Sequence, residues 1–206
     1  MAPPGGEVCV ISVLFVDVRG FTALAERLGP AEVAQRLNRF YALASDVIFE
    51  HDGTLDKLVG DQVMAFFGAP LHAKDHPKRA VQAALRILSG MNSLAQGRPF
   101  DGVYPEHSRR TQDKPLHVGA GIATGEAFVG NVGEGAVTDY TVLGDTVNVA
   151  ARLQVAVASG EILVTEDTHA YVESQFPDAP SRELELKGKS EPVRARVIEV
   201  SDGAGG

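Results

Sequence analysis

Residues 9–17 read CVISVLFVD, and residues 54–68 read TLDKLVGDQVMAFFG. The first stretch is β-branched and apolar on both faces until Asp17, the pattern of a central strand covered on both sides. The second alternates around Gly60-Asp61, with Leu55, Lys57 and Val59 before the turn and Val63, Ala65 and Phe67 after it. That is a β-hairpin closed by a two-residue turn. Between the two stretches, Val33, Leu37, Phe40, Ala44, Val47 and Ile48 form one helical stripe. His51-Asp52-Gly53 ends it, with glycine just past the last turn. A second helix over about residues 74–94 turns Ala80, Ala84, Ile87, Leu88 and Met91 inward.

Further along, strands are predicted at 116–124 and 126–131, broken at Gly125, and at 138–143. A helix over 145–157, a strand at 162–164, a short helix at 166–174 and strands at 183–186 and 193–200 complete the pattern. The first half thus reads β-α-α-β-β-α-β, a split βαβ arrangement. The expected class is α+β: a ferredoxin-like βαββαβ core with an antiparallel central sheet and a C-terminal αβ extension. In that topology the first strand lies beside the hairpin, and Asp17 shares a sheet edge with the Gly60-Asp61 turn. One domain is expected over residues 9–200. Pro/Gly-rich tails flank it at 1–8 and 201–206, and an aperiodic surface loop interrupts it at 96–115.

Composition narrows the function classes. The 206 residues are 44% hydrophobic and 22% charged, so the chain can build a core. There are 27 acidic and 19 basic residues, 27 − 19 = 8, for a net charge of −8. That disfavours nucleic-acid or anionic-membrane partners, which need a basic face. The longest apolar run, 8–18, is interrupted by Ser12 and Asp17 and is too short to span a bilayer. Cys9 is the only cysteine, so no internal disulfide forms, and a reducing cytoplasm is the expected compartment. The six histidines show no zinc-like spacing with Cys9, and no Gly-x-Ser-x-Gly elbow is present.

The residues with chemical potential are few. Asp17 and Asp61 end apolar elements whose tips the topology brings together, without an obvious basic partner. Paired carboxylates make a hard-oxygen site suited to Mg²⁺ or Mn²⁺. Taken singly, Asp17 is equally a helix cap and Asp61 a good turn former. Val18-Arg19-Gly20-Phe21-Thr22 offers a glycine and backbone N–H groups at a helix start, where phosphate is attracted, though it lacks the Walker pattern. Lys57 shares a predicted strand face with Leu55 and Val59, either as a donor to a ligand or as a snorkelling lysine. Asn148 and Arg152 are four apart on one helix face and suit a developing phosphate charge; an ordinary solvated pair is the alternative. Lys187-Gly188-Lys189 is a small basic patch.

Four segments, LFVDVRGFT (14–22), LDKLVGDQVMAFFGAP (55–70), VGAGIATGEAFVGNVG (118–133) and YTVLGDTVNVAARL (140–153), together resemble the class III nucleotidyl cyclase catalytic domain. The resemblance implies an adenylyl cyclase that converts ATP to 3′,5′-cyclic AMP and pyrophosphate. Asp17 and Asp61 would hold two divalent metal ions, Mg²⁺ or Mn²⁺, with the Val18 carbonyl as a further ligand. Gly20, Phe21 and Thr22 would cradle the β- and γ-phosphates, and Lys187 would contact the terminal phosphates. Lys57 and Thr141 would select the purine, Asn148 would orient the ribose, and Arg152 would stabilise the transition state. The resemblance also implies a head-to-tail homodimer with two composite sites, the aspartates from one chain and the remaining groups from the other. Thr141 stands where aspartate is common, and resembles a bicarbonate-stimulated subclass. The rival readings are a guanylyl or dual-specificity cyclase and a non-catalytic dimerisation or nucleotide-sensing domain.

Overall fold

The computed structural model describes residues 5–96, 116–134, 137–185 and 191–200. Lys187, residues 1–4 and 201–206 of the expected tails and nearly all of the loop expected at 96–115 lie outside them. Glu7 and Val8, expected in the N-terminal tail, instead begin the first strand, because they pair with Val129 and Phe128. Strand β1 (Glu7–Val18) is the axis of the molecule. Its even-numbered Leu14, Val16 and Val18 enter one apolar cluster and its odd-numbered Ile11, Val13 and Phe15 another, so both faces are covered as expected. The hairpin of β2 (Thr54–Val59) and β3 (Gln62–Phe67) lies on one side of β1, and β4 (Val118–Glu134) on the other. All three contacts, β2–β3, β3–β1 and β1–β4, are antiparallel.

Beyond β4 come β6 (Glu161–Thr165), parallel to it, then β8 (Val193–Glu199) and the edge strand β7 (Ser181–Leu184). Strand β5 (Val137–Leu143) pairs with the far half of β4, off the main path. Two long helices, α2 (Pro30–Glu50) and α3 (His76–Ala95), cover one face. Phe40, Leu43, Val47 and Ile48 from α2 meet Ile87 and Leu88 from α3 in that layer. Each such side chain stabilises the fold by about 1.5–3 kcal/mol through burial. Helix α4 (Asp145–Ala156) covers the opposite face with Val149, Ala150 and Leu153. The short helices are α1 (Phe21–Ala25) and α5 (Glu166–His169).

The structure shifts the strand expected at 183–186 to Ser181–Leu184, shortens the helix expected at 166–174 to Glu166–His169, and removes one strand break. The expected break at Gly125 is absent, and β4 runs unbroken for 17 residues, with Gly125 paired to Ile11. A Cβ at Gly125 would lie 2.7 Å from Thr146 Oγ1, so the glycine makes room for the start of α4 rather than for a turn. On the α2/α3 side, a buried polar seam crosses the strands. Ser12 Oγ contacts His76 Nδ1 at 2.9 Å and Thr124 Oγ1 at 2.7 Å, and Thr124 continues to Thr168 at 2.9 Å. Burial lowers the His76 pKa and keeps the ring neutral in this seam.

Candidate active site

The edge that joins β1 to the hairpin is built by backbone pairing. Asp17 lies opposite Gln62, and the Val18 N–H donates to the Asp61 carbonyl at 3.0 Å. Gly60 takes φ 61°, a turn position glycine fills without strain. The Tyr41 hydroxyl of α2 donates to the Gly60 carbonyl and pins the turn. The two carboxylates therefore converge as the topology predicts. Burial first, and the Asp61 charge second, push the Asp17 carboxyl up to about 6.

The expectation of no basic partner is corrected here. Arg19 Nη2 lies 3.2 Å from Asp17 Oδ2 and donates to the Gln154 carbonyl at 2.7 Å. Its Nε is buried and has no hydrogen-bond partner among the described residues. Gln62 Nε2 donates to Gln154 Oε1 at 3.1 Å, so the end of α4 is tied to the aspartate edge. Gly20 takes φ 68° and opens α1, carrying Phe21 and Thr22 directly after that edge.

Lys57 does not share a face with Leu55. The β2–β3 register shifts between Leu55 and Lys57, a bulge at Asp56 that puts Leu55 opposite Ala65 and Lys57 opposite Met64. Leu55 thus packs toward the α2/α3 layer, while Lys57 turns to the face carrying β5. There Lys57 Nζ donates to Asp56 Oδ1 at 2.9 Å, Asp139 Oδ2 at 2.6 Å and Thr141 Oγ1 at 3.3 Å. The Thr141 hydroxyl donates to Asp56 Oδ2 at 2.8 Å. Asp56 has a fully buried side chain, whereas that of Asp139 is 59% exposed. The hydrogen bond to Asp139 is the largest cause of a Lys57 pKa held above the usual lysine range.

Asn148 and Arg152 lie on one face of α4, as the spacing requires. At 100° per residue, Val149, Ala150, Leu153 and Gln154 occupy the arc toward the sheet, and Asn148, Arg152 and the exposed Val155 occupy the opposite arc. Neither Asn148 nor Arg152 makes a side-chain hydrogen bond with the described residues. Sequence reasoning passed over Arg19, Asp56, Asp139 and Gln154. A carboxylate inside a strand beside a lysine was the one legible signal, at Asp56; the roles of Arg19 and Gln154 come only from tertiary contact.

Residues 6–198 match the family described as the adenylate and guanylate cyclase catalytic domain. The chain belongs to the class III nucleotide cyclases. An uncharacterized protein of Mycobacterium tuberculosis is 34% identical to this cyclase domain over 197 residues, covering 94% of the domain and 34% of that protein. Adenylate cyclase 1 of Rhizobium meliloti is 35% identical over 144 residues, covering 70% and 20% respectively. The cyclase domain therefore spans about a third of the length of the first of these relatives and a fifth of the second. Among solved structures, the guanylyl cyclase Cya2 superposes with a TM-score of 0.82 at 31% identity, covering 97% of each chain. The adenylyl cyclase CyaB from P. aeruginosa superposes with a TM-score of 0.80 at 33% identity, covering 97% of the cyclase domain and 98% of that chain. The largely antiparallel α+β fold is shared with both. Among the described residues, no helix is long and apolar enough to cross a membrane.

Proposed function

We propose that this domain converts ATP to 3′,5′-cyclic AMP and pyrophosphate in the cytoplasm, at two composite sites of a head-to-tail homodimer. The observation that carries the reading is the meeting of Asp17 and Asp61 at one sheet edge, with Asp17 raised by burial and by its neighbour's charge. An all-oxygen donor pair whose like charge Arg19 offsets only in part fits divalent cations. Asp17, Asp61 and the Val18 carbonyl would hold two ions, Mg²⁺ or Mn²⁺. Bound there, such ions lower the proton affinity of the ribose 3′-hydroxyl and offset phosphate charge.

The chain's own groups supply orientation and selection. Gly20, Phe21 and Thr22 cradle the β- and γ-phosphates beside Asp17, and Lys187 reaches the terminal phosphates. Asn148 orients the ribose. Arg152 meets the charge that grows on the α-phosphate as the 3′-oxygen bonds to phosphorus and pyrophosphate leaves. Both residues lie on the α4 arc turned away from their own sheet, which favours their serving a partner's aspartates. Val155 and Leu143, 75% and 50% exposed, supply apolar surface around them for that contact.

Adenine selection follows from hydrogen-bond polarity. The Thr141 proton is committed to Asp56, so its oxygen faces a ligand as an acceptor. It accepts from the adenine 6-amino group and repels the guanine 6-carbonyl. Lys57, on exchanging its contact with the exposed Asp139, donates to the unprotonated N1 of adenine, and N1 of guanine carries a proton and cannot accept. The guanylyl reading is favoured by the likeness to Cya2.

Incubation with ATP or GTP and either metal, with cyclic products resolved chromatographically, tests both readings. Cyclic AMP from ATP is expected, and its absence with both metals refutes the main one. For the shared site, Asp17→Ala and Arg152→Ala are each expected to be nearly inactive alone. Their mixture should regain activity through one intact composite site per heterodimer. A mixture that stays inactive with dimers confirmed rules out that geometry.

A further inference from the structure

The opposite end of β1 carries a second group of ligand-type side chains. Glu7 and Cys9 are two apart on the strand and share one face. Strand β3 runs antiparallel to β1 with Ser12 opposite Phe67, so the chain leaving β3 travels back along β1 and brings His72 level with Glu7. His72 Nε2 lies 3.3 Å from Glu7 Oε1. The ligand atoms of Glu7, Cys9 and His72 all lie within 4.8 Å of one another.

The donor set is one sulfur, one nitrogen and one oxygen. Such a set disfavours Mg²⁺ and Ca²⁺, which take oxygen ligands, and suits zinc-class ions. Metal–ligand distances of about 2.0–2.3 Å put neighbouring ligands of a tetrahedral ion about 3.3–3.8 Å apart, so small side-chain rotations close the present spacing. His72 is exposed at its tip, which leaves an entry path. Cys9 packs beside Tyr140 against the apolar cluster under α4, which fixes the sulfur.

We propose that Glu7, Cys9 and His72 form a binding site for a zinc-class transition-metal ion, clamping the start of the central strand to the segment after the hairpin. Binding releases the Cys9 thiol proton, and water takes the fourth position. Glu7 and Asp17 are ten residues apart on one strand, about 33 Å at 3.3 Å per residue, so this site is separate from the aspartate edge. The inference does not depend on cyclase activity.

The test uses Co²⁺ and Zn²⁺ with the chelator-stripped full chain. Co²⁺ should bind with a near-ultraviolet thiolate-to-metal band and visible tetrahedral absorption, both abolished by Zn²⁺. The band should persist in Asp61→Asn and vanish in Cys9→Ser. His72→Gln changes only an exposed side chain and should fold normally, with affinity lower by about tenfold or more. Zn²⁺ at a hundredfold excess over the wild-type Kd should raise the wild-type Tm by about 5–10 °C and that of His72→Gln by no more than about 3–6 °C. Absence of the band in the wild type, its survival in Cys9→Ser, or undiminished affinity in His72→Gln overturns the site.

Discussion

Replacing Asp17 by asparagine should make the metal-free protein more stable while abolishing its chemistry. The Asp17 carboxyl is raised from 3.8 to about 6, with its side chain only 17% exposed. At about 1.36 kcal/mol per pH unit, keeping it ionised at neutral pH costs the fold about 3 kcal/mol. Arg19 and the hydrogen bond from Gln154 already offset part of the burial and of the Asp61 repulsion, and the cost is what remains. Asparagine keeps the shape and gives up the charge, but it also gives up the Arg19 contact. The net gain expected is therefore about 1–3 kcal/mol, a Tm rise of about 3–9 °C at pH 7.5.

The pH dependence has a definite sign. A carboxyl whose folded pKa exceeds its unfolded value binds more protons when folded, so its cost is fully present above about 6 and disappears below about 4. Thermal melts of wild type and Asp17→Asn in chelator, from pH 4 to 8, should show a gap that opens through pH 4–6 and is constant above about pH 7. Adding Mn²⁺ at pH 7.5 should raise the wild-type Tm and narrow the gap, with little effect on the variant. A variant less stable than wild type at pH 7.5, or a gap independent of pH, would refute the electrostatic reasoning.

Asp56→Ala removes the buried acceptor shared by Lys57 and Thr141. It should lower the preference for ATP over GTP by tenfold or more while costing about 1–3 kcal/mol in denaturant melts. A Lys57→Glu variant should lose most of its ATP turnover, measured with each nucleotide at saturating Mn²⁺. Gly121→Ala would set a Cβ 2.4 Å from the Gln154 backbone nitrogen on α4. A destabilisation of about 1–3 kcal/mol is expected, with a larger fractional loss of kcat as α4 carries Asn148 and Arg152 out of place. Cyclase rate should rise with added bicarbonate at fixed pH, as the Thr141 resemblance implies; a flat response removes that expectation.

The sequence alone determined the order of elements and both sides of the core. A strand apolar on both faces from Cys9 to Val16, with Ser12 the one polar position, reads as central, and the 3.6-residue stripes of α2 and α3 each mark one face for burial. It also placed Asp17 and Asp61 together, because antiparallel pairing of β1 with a hairpin leaves their ends at one edge. Glycine was less legible. A residue without a side chain marks a break or a close approach equally well, and at Gly125 it was the approach of Thr146.

What only the tertiary structure decided concerns side chains brought together across long stretches of chain. A strand's alternation is readable only while its register is regular, so the bulge at Asp56 reversed the face of Lys57 and created its contact with Thr141, 84 residues away. Arg19 meets Gln154 across 135 residues, and His72 meets Glu7 only because β3 runs back along β1. Local periodicity encodes which face a residue takes within its own element. It carries no information about which distant side chain that face will meet.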